Sequence, residues 1–115
     1  MSVTIFHNPR CSKSRATLEL LKEQGIEPRI MLYLETPPDA DELSQILTLL
    51  GREPRELMRK GQSEYKEQNL DRPELSREEL ISAMVNTPIL IERPIVLSNG
   101  KAAIGRPPES VLGIL

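Results

Sequence analysis

The sequence predicts an α/β fold in which a small mixed β-sheet is flanked by helices, with a helical insertion over about residues 39–86. Three observations predict this fold. The chain begins with a β-α-β pattern, its middle carries apolar residues at helical spacing, and it ends with a β-hairpin followed by a helix. A β-α-β unit pairs its strands in parallel and a hairpin pairs them antiparallel, so a sheet that contains both is mixed.

The β-α-β pattern comes from two apolar runs and the helical stretch between them. Val3–His7 predicts the first strand. A helix is predicted to begin near Cys11 or Ser12 and to end at Gly25, because glycine adopts the left-handed conformation that often follows a helix. Ile30–Leu34 then predicts a buried strand parallel to the first.

The middle of the chain carries the start and stop signals of helices. Asp39 with Glu42, and Ser76 with Glu79, have the spacing of N-terminal capping pairs. Gly51 ends the helix that the first pair begins. These signals predict that the insertion is helical.

The C-terminal part of the chain carries the signature of a hairpin. Asn99-Gly100 lies between the apolar runs 95–97 and 102–104, and this dipeptide favours the tight turn that joins two antiparallel strands. Pro107 and Pro108 then open a final helix, since proline is favoured in the first turn of a helix.

Composition and charge exclude several classes of function. The net charge is -2 and only three residues are aromatic, so neither a basic surface nor a stacking platform for nucleic acid is expected. The longest apolar runs are far shorter than the ~20 residues that cross a bilayer, so we expect no membrane segment. The N-terminus has no signal-peptide pattern, and we therefore expect the reducing cytoplasm. One cysteine and one histidine cannot assemble a usual zinc site, so no metal centre is expected.

The only cysteine and the only histidine of the chain lie in one short segment, HNPRCSKSR at residues 7–15. Cys11 falls where the first strand gives way to the first helix, so its sulfur would face the unpaired N–H groups and positive dipole end of that helix. Arg10, Lys13 and Arg15 add positive charge nearby, and such surroundings lower the pKa of a thiol. The same N–H groups would bind an anion. The segment therefore predicts a reactive thiolate beside an oxyanion site.

These residues also have plainer interpretations. A lone cysteine is most often a small buried apolar residue, but the polar residues on both sides of Cys11 favour the reactive thiol. For His7, a structural hydrogen bond and a role in the site are equally supported. A phosphatase-like loop would carry arginine six residues after its cysteine, and that position here is Thr17. An oxyanion site would therefore need arginines from elsewhere in the chain.

An ordered set of motifs spans nearly the whole chain. They are I-F-H-N-P-x-C-x-x-S-R at 5–15, Y-L-E-T-P-P at 33–38, L-M-R-K at 57–60, P-I-L-I-E-R-P-I-V at 88–96 and G-R-P at 105–107. On these motifs the chain resembles the glutathione/glutaredoxin-linked arsenate reductase family of the thioredoxin superfamily. The resemblance implies that the 115 residues form a single thioredoxin-like domain, which contains the helical insertion.

The resemblance also implies the residues of the site. Cys11 is the nucleophile, and Arg59, Arg93 and Arg106 bind the arsenate oxygens. The family further implies a cis Arg93–Pro94 peptide bond beside the active cysteine, and an X-Pro bond is the usual place for a cis peptide. The supporting residues are His7, Ser14, Arg15 and Pro94.

Each of these arginines has a predicted place in the fold. Arg59 ends a short helix that we predict from Pro54 to Gly61. Arg93 precedes a strand, and Arg106 lies in the loop before the last helix. Guanidinium groups suit this task because they donate paired hydrogen bonds to oxyanions.

The implied reaction begins with attack of the Cys11 thiolate on arsenate, which gives a thiol–arsenate ester. Glutathione then captures this ester, and a glutaredoxin completes the reduction to arsenite. No bound cofactor is implied, and glutathione is a co-substrate. A single cysteine fits this scheme, because the thiol that resolves the intermediate must then come from outside the chain.

Two other functions stay open on the sequence. The stretch C-S-K-S-R differs from the C-G-T-S-R of the arsenic-resistance members, which leaves room for a housekeeping glutathione-dependent thiol oxidoreductase of unknown substrate. The same fold also includes regulators that bind a protein partner. Those regulators resemble a C-x-x-C switch, whereas Ser14 replaces the second cysteine here, and this difference favours the enzyme.

Overall fold

A computed structural model describes residues 2–115 of the chain. The strands are β1 (Val3–Phe6), β2 (Arg29–Met31), β3 (Ile95–Ser98) and β4 (Lys101–Ile104). The α-helices are α1 (Ser12–Glu23), α2 (Ala40–Leu50), α3 (Ser63–Glu67) and α4 (Arg77–Asn86). Shorter 3₁₀ helices lie at Pro54–Leu57, Pro88–Leu90 and Pro108–Ile114.

The four strands form one mixed sheet in the order β2-β1-β3-β4. Strand β1 pairs in parallel with β2 and antiparallel with β3, so that Ile5 lies beside Ile30 on one side and beside Val96 on the other. Strands β3 and β4 form the antiparallel hairpin. The predicted mixed sheet flanked by helices is therefore confirmed.

The chain divides into two compact units. One unit contains the sheet, α1 and the last 3₁₀ helix, and the other consists of residues 37–92 and contains α2, α3 and α4. The assignment of the whole chain to one domain, with an insertion over residues 39–86, stays a prediction.

The core of the sheet unit lies between the sheet and α1. Ile5, Leu21, Val96 and Val111 are fully buried there, and Val3 is nearly so. Full burial of such aliphatic side chains stabilises the fold by about 1.5–3 kcal/mol each. This core fixes α1 against β1, and thereby fixes the loop that joins them.

Strand β2 is not the buried strand that the apolar run predicted. It ends at Met31, and Ile30, Leu32 and Leu34 are 44%, 37% and 41% exposed. The physical reason is the order of the strands, because β2 lies at the edge of the sheet and pairs only with β1. The chain then turns, with Tyr33 buried.

The predicted capping pairs of the helical unit are confirmed. Asp39 accepts a hydrogen bond from the Glu42 N–H at 2.8 Å, and Ser76 accepts one from the Glu79 N–H at 3.1 Å. Both glutamates bond back to the first residue of the pair, which completes two capping boxes. Gly51 ends α2 in the left-handed conformation, with φ of 66°.

The short helix predicted from Pro54 to Gly61 is shorter than expected. Its 3₁₀ turn ends at Leu57, and Met58 instead forms an antiparallel β-bridge with Ile91. Arg59 therefore follows an extended segment and does not end a helix. Backbone pairing with a segment more than 30 positions away replaces the helical hydrogen bonds here.

The C-terminal elements agree with the predicted hairpin and differ in the last helix. Asn99 and Gly100 both have positive φ, at 56° and 69°, which is the conformation that a type I′ hairpin turn requires. The last helix is a 3₁₀ helix, Pro108–Ile114. Within residues 2–115, no helix combines the length and the apolar composition needed to cross a membrane.

Candidate active site

Cys11 occupies the N-cap position of α1, in extended conformation. Its N–H donates to the Asn8 carbonyl at 3.0 Å, and its carbonyl accepts the first helical hydrogen bond from the Arg15 N–H at 3.0 Å. The side chain is 8% exposed. The sulfur therefore lies at the end of α1 where N–H groups have no partner within the helix.

The environment of Cys11 favours its thiolate. Burial alone would raise the pKa of the thiol. Hydrogen bonds from the backbone N–H groups of Ser14 and Lys13, together with the charge and side chain of Arg93, outweigh burial and lower the pKa below its ordinary value. These contacts are the physical basis for a reactive nucleophile at this position.

The side-chain charge that lowers the pKa of the thiol is not one of the three local cations that the sequence suggested. It belongs to Arg93, which is distant in sequence, whereas Lys13 acts through its backbone N–H. The guanidinium of Arg15 donates to the Pro9 carbonyl at 2.9 Å, on an exposed face of the loop. Arg10 is also exposed. The prediction that neighbouring cations lower the pKa of Cys11 was therefore wrong about which residue supplies the charge.

Arg106 brings a guanidinium to the same sulfur. Its Nη2 lies 3.7 Å from Cys11 Sγ, although 95 positions separate the two residues. Its Nε donates to the Arg93 carbonyl at 2.9 Å, so the two arginines are joined through the backbone. The loop before the last 3₁₀ helix thus lies beside the start of α1.

Pro94, the residue after Arg93, is buried. The Arg93–Pro94 peptide bond is cis, in agreement with what the family resemblance implied, and the Arg106–Pro107 bond is cis as well. The Pro94 carbonyl accepts a hydrogen bond from the Gly105 N–H at 2.9 Å.

A family model described as the ArsC family matches residues 6–114. The chain belongs to the ArsC family. It is 61% identical to the "Uncharacterized protein YfgD" of Escherichia coli (strain K12), over 98% of this chain and 96% of that protein. It is 52% identical to an arsenate reductase of Neisseria meningitidis (strain Z2491), over 98% of this chain and 97% of that protein.

The solved structure of an arsenate reductase from Vibrio cholerae is similar to this chain along its whole length. The TM-score is 0.98 at 54% identity, over 100% of this chain and 98% of that one. The predicted family and its thioredoxin-like fold are confirmed. The roles of Cys11 as the nucleophile and of Arg59, Arg93 and Arg106 as the residues that bind the oxyanion stay predictions.

His7 contacts the first turn of α1 through Ser14. His7 Nδ1 lies 2.6 Å from Ser14 Oγ, and the Asn8 N–H donates to the same oxygen at 3.0 Å. Burial, followed by the charges of Arg15 and Lys22, lowers the pKa of His7, so the imidazole is neutral at neutral pH. Since Ser14 Oγ accepts from Asn8, its own proton is available to Nδ1. The pair holds the loop that leads to Cys11.

Arg59 lies in the other compact unit, and its place at the thiol stays a prediction. Its N–H donates to the Leu90 carbonyl at 2.7 Å, and its Nε lies 3.9 Å from a Glu92 carboxylate oxygen. Its Nη1 is buried and has no hydrogen-bond partner among residues 2–115. A buried cationic donor of this kind is suited to an anionic ligand.

Sequence reasoning gave no role to the close contact between Thr17 and Gly105. Thr17 is fully buried, and Gly105 is buried against it. The sequence offered two signals for this contact, since Thr17 occupies the sixth position after Cys11 and Gly105 begins the G-R-P motif. Within residues 2–115, no three His, Cys, Asp or Glu side chains come together as a metal site.

Proposed function

We propose that this ArsC family chain reduces arsenate to arsenite, with Cys11 as the nucleophile. The observation that carries the proposal is the pairing of a thiol whose pKa is lowered with the Arg106 guanidinium, 3.7 Å from its sulfur. Similarity to arsenate reductases, at 52% identity to the Neisseria meningitidis protein and 54% to the Vibrio cholerae protein, supports it.

The first step joins two anions, so it needs positive charge around the reacting atoms. The Cys11 thiolate attacks arsenic, a sulfur–arsenic bond forms, and one arsenate oxygen leaves as water after protonation. Arg93 and Arg106 supply guanidinium groups on the sheet unit, and we assign the remaining oxygens to Arg59. Donors that are already in place at a developing charge contribute several kcal/mol each to catalysis.

The second stage takes arsenic from As(V) to As(III), which requires two electrons. Glutathione adds through its sulfur to the arsenic of the ester, and a second water leaves. A glutaredoxin thiolate then attacks the glutathione sulfur, and a disulfide forms between glutaredoxin and glutathione. The bond between the glutathione sulfur and arsenic breaks, and its electron pair stays on arsenic, which becomes As(III). Water releases arsenite and restores Cys11. Both reducing thiols come from outside, because the chain has only one cysteine.

We propose that the enzyme acts in the cytoplasm, because thiols stay reduced there. It requires arsenate, glutathione and a glutaredoxin as partners, and no bound cofactor.

A coupled assay tests the proposal. Oxidation of NADPH is followed with glutathione, glutaredoxin and glutathione reductase present, with and without arsenate. The expected result is oxidation that depends on arsenate in the wild type and is lost in Cys11→Ser. Oxidation that ignores arsenate would instead indicate a thiol oxidoreductase of another substrate. No oxidation under any condition would favour a regulator that binds a protein partner.

A further inference from the structure

Thr17 and Gly105 form a close contact between α1 and the loop that carries Arg106. Thr17 Oγ1 donates to the Lys13 carbonyl at 2.8 Å and lies 3.5 Å from the Gly105 carbonyl. The Thr17 side chain is fully buried, and its hydroxyl is held by the helix whose first residue follows Cys11. The contact therefore joins the helix of the thiol to the backbone next to Arg106.

Gly105 is required at this contact for space. A Cβ at this position would overlap Thr17 Oγ1, and it would lie 2.8 Å from Pro94 Cγ and 3.0 Å from Thr17 Cγ2. Backbone conformation does not account for glycine at this position, because Gly105 is not among the glycines with positive φ. Any side chain here would push the loop away from α1.

The backbone around Gly105 is also held from the other side. Its N–H donates to the Pro94 carbonyl at 2.9 Å, and the Arg106 Nε donates to the Arg93 carbonyl at 2.9 Å. One residue after the glycine, the Arg106 guanidinium reaches Cys11 Sγ. A shift of the backbone at position 105 is therefore transmitted directly to the group beside the thiol.

We propose that Thr17 and Gly105 are positioning residues, which set the distance between the Arg106 guanidinium and the Cys11 sulfur and thereby determine oxyanion binding. A phosphatase-like loop carries arginine six residues after its cysteine. In this chain that position is Thr17, which instead positions Arg106 from the C-terminal part of the chain. The identity of the oxyanion as arsenate rests on the proposed function. The contact itself is independent of it.

The test compares Gly105→Ala with a matched control, Gly113→Ala. Gly113 lies in the same compact unit, and a Cβ added there would meet no atom within 4 Å. Protection of Cys11 from iodoacetamide by increasing arsenate reports anion binding, and the coupled assay reports turnover. We expect Gly105→Ala to need much more arsenate for protection and to lose on the order of 100-fold in kcat/KM. Gly113→Ala should match the wild type in both. Alkylation without arsenate should keep a midpoint below that of an ordinary thiol, because the Ser14 and Lys13 N–H groups stay in place.

Thr17→Ala in the Gly105→Ala background provides a rescue. It removes the two Thr17 atoms that the new Cβ would meet, and it should recover part of the protection and turnover. If Gly105→Ala does not fold, Thr17→Ala alone serves as the second variant, since it loosens the contact without overlap. It should weaken protection by arsenate several-fold, while in the absence of arsenate Cys11 still reacts at a lower pH than an ordinary thiol.

The outcomes separate this proposal from the proposed function. The positioning role would be overturned if Gly105→Ala were less stable but the same arsenate concentration protected its Cys11 from iodoacetamide as in the wild type. The same holds for Thr17→Ala with unchanged protection. A wild type that arsenate does not protect would overturn the proposed function, and the positioning of Arg106 for arsenate with it.

Discussion

The Arg106 guanidinium lies 3.7 Å from the sulfur of Cys11, and its Nε is held by the Arg93 carbonyl at 2.9 Å. This arrangement uses two different nitrogens of one planar group. Nε fixes the plane, and Nη2 is directed to the place where sulfur and substrate meet. The lysine side chain has one nitrogen, so it cannot reproduce the fixed spacing of these two donors.

Arg106→Lys should therefore lower turnover as well as binding, by about 100-fold in kcat, which is the size of effect seen when one donor to a developing oxyanion is removed. The measurement is the steady-state rate against arsenate concentration in the coupled assay. Arg29→Lys, at an exposed position of β2, is the matched control and should keep wild-type kinetics. If Arg106→Lys retained full kcat with only a raised KM, the group would bind substrate without stabilising the transition state.

Cys11 should react with iodoacetamide at a lower pH than an ordinary thiol, because backbone N–H groups and Arg93 lower its pKa against the effect of burial. The rate of alkylation against pH gives the midpoint directly. Arg93→Met should shift the midpoint upward, since it removes the charge. A wild-type midpoint equal to that of a free cysteine, near ~8.5, would contradict the assignment.

The lowered pKa of Cys11 also predicts how stability changes with pH. The folded state binds the proton less tightly than the unfolded state, so the thiolate stabilises the fold fully above the unfolded pKa. That contribution is lost as the pH falls through the folded pKa. Urea unfolding of the wild type and of Cys11→Ser over this range should show a difference that grows with pH. A constant difference would be evidence against a lowered pKa.

Ser14→Ala should destabilise the fold, because it leaves two buried groups without their partner, His7 Nδ1 and the Asn8 N–H. An unmade buried hydrogen bond costs about 1–3 kcal/mol, and the midpoint of urea unfolding measures it. Ser12→Ala, at an exposed position of the same helix, is the control and should change stability little. Equal stability of the two variants would mean that the Ser14 hydroxyl has no structural role.

His7 should make the fold less stable in mild acid. Its pKa is lowered by burial and by the charges of Arg15 and Lys22, so the folded state resists protonation. The contribution of His7 to the free energy of unfolding should therefore be constant above the ordinary value of about 6.5, and fall as the pH drops from there toward the folded pKa. In His7→Gln this fall should be smaller. Parallel pH profiles for the two proteins would sink the prediction.

Local features of the sequence were enough to predict the local structure. The capping pairs at Asp39 and Ser76, the stop at Gly51 and the turn at Asn99-Gly100 depend on residues that are neighbours in the chain, and each was confirmed. The position of Cys11 at the start of α1 was predictable for the same reason, because residues 7–15 contain the signals for both the end of β1 and the start of the helix.

Features that depend on distant pairing could not be read in this way. An apolar run such as Ile30–Leu34 does not reveal whether its strand lies at the centre or the edge of a sheet. The helix expected at Arg59 was prevented by a bridge from Met58 to Ile91, which no local pattern indicates. The approach of Arg106 to the thiol was expected only from the resemblance to a family, because residues 95 positions apart share no local signal.

Strand β2 presents apolar side chains at an open edge of the sheet, and such an edge invites pairing with another chain. Its three residues offer few backbone groups for that purpose. Pro28 immediately before it lacks an N–H, and Arg29 adds an exposed charge to the strand itself. Proline and charge at an edge are among the devices that keep soluble proteins from aggregating. Pro28 and Arg29 therefore reduce the tendency of the β2 edge to pair with a strand of another chain.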